Sequence, residues 1–145
     1  QFGVPTGAHA TTLIGITHSK DTFLWKENVL ATPGLEDVAE VGNIIKMNAE
    51  VDAIISKYKA GSKFQIPAPP ITGIAETTLK LSTVFSNISF ASMIAPSPDW
   101  IMGISNVSLL LNNKWLDSLT LHIKVYDAGT EEDVVFGNNY PSTKR

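Results

Sequence analysis

Cation binding and acid–base catalysis both need carboxylates gathered in one place, and two aspartates in this chain sit where the backbone must turn. Asp99 follows Pro98, which stiffens its loop, and Asp127 ends a run of alternating residues just before Ala128-Gly129. Gly129 frees the backbone to turn, so Glu131 can come back toward Asp127. The residue types leave three readings open. The aspartates are water-facing turn residues, a catalytic carboxylate pair, or oxygen donors for a hard cation. Nothing else in the sequence supports a catalytic cleft.

Other chemistry is harder to build. His9, His18 and His122 lack the spacing that sets two imidazoles on one helix face, so zinc is not expected. The absence of cysteine excludes thiolate nucleophiles and cysteine-based zinc sites. No nucleophile elbow, phosphate loop or dinucleotide motif is present. Two glycosylation sequons occur, Asn87-Ile88-Ser89 and Asn106-Val107-Ser108. Both asparagines fall on the polar phase of predicted strands, which predicts solvent-facing side chains as a glycan requires. Trp25, Trp100 and Trp115 read as core residues, with Trp100 beneath the acidic loop.

The elements that position these residues follow from composition and pattern. A chain of 145 residues fits one domain spanning 1–145, and 43% hydrophobic residues suffice for a core. A net charge of -3, from 11 basic and 14 acidic residues, builds no basic patch, so nucleic acid is excluded as a partner class. No apolar run approaches the ~20 residues of a membrane span. Residues 10–19 read as a strand and 35–40 as a short helix stopped by Gly42. Ile44, Met47, Val51, Ile54, Ile55 and Tyr58 line one face of a helix over 44–59. Residues 61–70, rich in proline, read as a loop. Beyond 71 the pattern switches to period two. Strands are predicted over 77–83, over 87–94 with Ile88, Phe90 and Ile94 inward, through Val107, Leu109 and Leu111, and over 119–125 with Leu119, Leu121, Ile123 and Val125 inward. Asn112-Asn113 supplies a turn. The pattern predicts a mainly β, antiparallel sandwich or barrel with one or two helices near 35–59.

Three stretches, taken together, carry a resemblance: Gly15-Ile16-Thr17-His18, Ala95-Pro96-Ser97-Pro98-Asp99-Trp100 and Asp127-Ala128-Gly129-Thr130. A weaker fourth runs from Gly34-Leu35 to Ala39-Glu40-Val41-Gly42. In this order the chain resembles the spondin N-terminal domain, from about His9 to about Tyr140. The resemblance implies an antiparallel β-sandwich similar to C2 domains and a Ca2+ ion held by three acidic residues. These map onto Asp99, Asp127 and Glu131, where the family usually has Asp at the third position; Glu132 and Asp133 are possible substitutes. It also implies a secreted, extracellular, non-enzymatic matrix or adhesion module.

Compared with the family, little precedes His9 or follows Tyr140, so one or two terminal edge strands are expected to be missing. Such a sandwich exposes unpaired backbone groups. These suit an extracellular macromolecule, another fragment of the same precursor, or self-association. The competing function is a calcium-dependent carbohydrate- or small-ligand-binding protein, in which the ion touches the ligand. A hydrolase built on the acidic cluster is the third reading.

Overall fold

A computed structural model of the chain describes residues 6–131. In chain order the elements are β1 (His9–Ala10), β2 (Leu13–His18), α1 (Pro33–Val41), α2 (Ile45–Ser56), β3 (Ala60–Ile66), β4 (Asn87–Ala95), β5 (Trp100–Ser108), β6 (Leu110–Leu111), β7 (Lys114–Trp115) and β8 (Lys124–Asp127). Six strands form one antiparallel sheet in the order β3-β2-β4-β5-β8, with β1 also pairing β4. β6 and β7 form a second, small sheet through the turn at Asn112-Asn113, both of which take positive φ. The fold is therefore mainly antiparallel β with two helices, consistent with a β-sandwich and with the period-two and period-3.6 patterns of the sequence.

The helices start and stop where local chemistry dictates. Thr32 caps α1, its Oγ1 accepting from the Leu35 N–H, and Pro33 opens the first turn. Gly42 ends α1 in the left-handed region, and its N–H and that of Asn43 reach back to Val38 and Asp37 carbonyls. Glu50 of α2 completes the start of α1. Its carboxylate accepts from Thr32 Oγ1 and from the Gly34 N–H, each at 2.7 Å. Gly34 permits this approach, because a Cβ there would lie 2.7 Å from the Met47 Cα.

The helices cover one sheet face, α1 over β4 and β5, α2 over β2 and β3. Ile14 and Ile16 of β2, Ala91 of β4 and Ile101 of β5 meet Leu35, Val38, Met47 and Val51 in the core. The central strand β2 is buried along its whole length, as a strand covered on both faces must be. On the opposite face the Phe64 ring lies over Gly15, where a Cβ would come within 2.3 Å of it.

Several expectations are corrected. Residues 60–66 form β3 rather than a loop, because their alternation pairs them in register with β2. Residues 77–83 carry no strand. Of 119–125, only Lys124 and Val125 enter a ladder, within β8 (Lys124–Asp127), and Leu119, Leu121, Ile123 and Val125 are each 44–50% exposed. In β4 the helix-covered phase is Asn87, Ser89, Ala91 and Met93, while Ile88, Phe90 and Ile94 are half-buried on the other phase. Asn87 is thus buried, not solvent-facing. Trp115 is exposed rather than core, and Tyr58 lies beyond α2, exposed and at positive φ.

Candidate metal centre

Asp99 and Asp127 come together because their strands are neighbours. Trp100 of β5 pairs with Asp127 of β8, and the Ala128 N–H donates to the Asp99 carbonyl at 3.0 Å. The turn before Asp99 is tied from within. A cis Ala95-Pro96 bond leads into it, Ser97 Oγ donates to the Ile94 carbonyl at 2.6 Å, and the Trp100 N–H donates back to Ser97 Oγ at 3.1 Å. Sequence reasoning missed Ser97. Its place between two prolines was the available signal, since neither proline has an N–H with which to hold the turn.

Asp99 is the structural centre of the site. Its carboxylate is fully buried, and Oδ2 accepts from the Thr130 N–H at 2.7 Å and the Glu131 N–H at 2.9 Å. One oxygen therefore holds the loop after β8 against the turn before β5. The other oxygen, Oδ1, is buried without a hydrogen-bond partner among the described residues. Burial pushes the Asp99 carboxyl above the ordinary carboxylate range. The Glu131 and Thr130 N–H groups oppose this, and repulsion from Asp127 adds to it. Asp127 is exposed, and its Oδ1 accepts from the Gly129 N–H at 2.8 Å in a turn that Gly129 permits at φ 69°.

The sequence-predicted set is thus partly assembled. Asp99 and Asp127 share one end of the sheet, and Glu131 joins them through its backbone N–H, with its side chain buried. Among the described residues no three of His, Cys, Asp and Glu are placed to hold a metal ion. Glu132 and Asp133, the possible substitutes, lie outside the described residues. The donors still have the character a hard cation requires. A buried carboxylate oxygen without a partner is costly, and a cation beside it and Asp127 would relieve both desolvation and mutual repulsion.

His18 has a structural hydrogen-bonding role. Its Nδ1 donates to the Ser19 carbonyl at 2.7 Å, which leaves Nε2 to accept from Ser89 Oγ, also at 2.7 Å. Ser89 Oγ in turn accepts from the Asn106 N–H. Burial lowers the His18 pKa and the Ser19 carbonyl partly opposes the shift, so the neutral ring is favoured. The Trp25 indole, buried beside the sheet, donates to the Phe90 carbonyl at 2.9 Å and meets the Tyr126 ring edge-on at 4.8 Å.

The family model described as Spondin_N matches residues 2–145. Spondin-2 of Rattus norvegicus and of Homo sapiens are each 32% identical over 133 residues, covering 90% of this chain and 40% of theirs. Spondin-1 of Gallus gallus is 32% identical over 136 residues, covering 88% of this chain and 17% of its own. The chain thus spans less than half the length of these relatives.

Proposed function

The chain belongs to the Spondin_N family, and from that premise we propose that it is a secreted, non-enzymatic module of the extracellular matrix whose loop cluster holds one structural Ca2+ ion. Asp99 and Asp127 supply carboxylate oxygens, and Glu131 or its acidic neighbours supply the third. The observation that carries this reading is the fully buried Asp99, one oxygen of which has no hydrogen-bond partner among the described residues, beside a second carboxylate. A Ca2+ ion bound there would supply positive charge between the loop after β8 and the turn before β5. The protein's part is to fix Asp99 through the Thr130 and Glu131 amides and to aim Asp127 through the Gly129 turn.

Adhesion then falls to the outer surfaces. Among the described residues β8 is the last strand of its sheet, and the exposed row Leu119, Leu121, Ile123 and Val125 runs into it. An unpaired strand edge is where another macromolecule, a further segment of a longer precursor or a second copy could add. A second reading, direct contact between the ion and a ligand, draws support from a groove of about 270 Å³ that reaches Asp127 and Ala128 from Trp25 and Tyr126. No described helix is long and apolar enough to cross a membrane.

Thermal melting tests the proposal. An ion bound only by the folded state stabilises it by about 2.7 kcal/mol at a hundredfold excess over Kd. The wild type should melt several degrees higher in Ca2+ than in chelator, and Asp127→Asn should lose most of that difference. Identical melting of both proteins under both conditions would remove the calcium assignment.

A further inference from the structure

The two sequons, alike in sequence, occupy opposite environments. Asn87 is only 6% exposed, on the helix-covered phase of β4, and its Nδ2 donates to Asn106 Oδ1 at 2.8 Å. A sugar on that nitrogen has no room. Asn106 is exposed. It sits where the ladder between β4 and β5 slips register, so that Ser105 and Asn106 together oppose Ser89, and it takes a positive φ of 56° that asparagine tolerates. Its Nδ2 donates one hydrogen to the Lys20 carbonyl at 3.2 Å. The amide has two hydrogens, and a glycosylated asparagine keeps one, so that bond survives modification. Ser108, the hydroxyl the sequon requires, is exposed on the same strand.

Asn106 also opens onto a groove of about 700 Å³, whose walls include Phe23, Asn28 and Tyr126. Its charged lining balances, Lys20 and Lys26 against Asp21 and Glu27. A lining with no net charge, rich in amides and hydroxyls and edged by aromatic rings, suits a neutral polyhydroxylated ligand rather than an anion or a cation. We propose that the chain carries a single N-linked glycan, on Asn106 and not on Asn87, and that its first sugars lie in this groove. The proposal rests on the secreted reading but not on calcium, since none of its residues is a candidate metal ligand.

The test is expression behind a cleavable secretion leader in a eukaryotic host, followed by glycopeptide mass spectrometry. The expected result is one occupied site, at Asn106. Ser108→Ala, which leaves Asn106 and its hydrogen bonds in place, should abolish the glycan, and Ser108→Thr should restore it. A glycan on Asn87, or a bare chain, overturns the assignment. Failure to reach the medium counts against secretion alone, because the map of the retained chain still decides the site. For the cradle, enzymatic release by peptide:N-glycosidase F should be slower from folded than from denatured protein, and faster from folded Phe23→Ala. Equal release rates would place the glycan outside the groove.

Discussion

Two buried titratable side chains lean in opposite directions with pH. Asp99 has a raised pKa in the folded state, so its contribution to stability is fully present below the unfolded value of 3.8 and is lost as pH rises through its folded pKa. Without a cation beside it, burial and the nearby Asp127 both disfavour its ionised form. Asp99→Asn keeps a carbonyl oxygen for the Thr130 and Glu131 amides and removes the charge. In chelator this variant is therefore expected to melt no lower than wild type, and in Ca2+ it should gain nothing. His18 has a lowered folded pKa, so the unfolded chain takes up the proton first. Its contribution is complete above 6.5 and is lost as pH falls below that value. His18→Gln should flatten the fall in denaturation midpoint between about pH 7 and 5; an unchanged slope would show that the His18–Ser89 contact is not its source.

At the scale of elements, capping outweighs surface charge. Thr32→Ala removes the cap of α1 and its bond to Glu50, and should lower stability by about 1 kcal/mol. The exposed Lys63–Asp52 pair at 2.8 Å is worth less, and Lys63→Ala should change stability by about 0.5 kcal/mol or less. Urea denaturation of the two variants checks the ranking. Both helices were legible because their signals are local: Pro33, Gly42, and apolar residues three and four apart. β3 was not, because Gly61 reads as a helix stop and Pro67 as loop, whereas pairing with β2 decides the outcome. The phase of β4 was misread for a related reason. The helices take the face with the small residues Ser89 and Ala91, leaving Ile88 and Phe90 half-buried on the other. Asn87 was misplaced with it.

For the whole molecule, the antiparallel plan was legible from alternation, but strand order was not, since it depends on partners far apart in sequence. Residues 77–83 and 119–123 alternate in sequence without joining a described ladder. The acidic pair was legible through its motifs. What no motif conveys is that Asp99 would be buried with one oxygen satisfied by the loop after β8 and the other without a hydrogen-bond partner among the described residues. That arrangement joins the two turns at one end of the sheet and is what a calcium ion would complete. Its most direct measurement is calorimetric titration of the chelator-treated protein with Ca2+, beside Asp99→Asn confirmed as folded by circular dichroism. One saturable site in the wild type, absent from the variant, is the expected result. A wild type that takes up no calcium, or a variant that binds it equally well, would contradict the account.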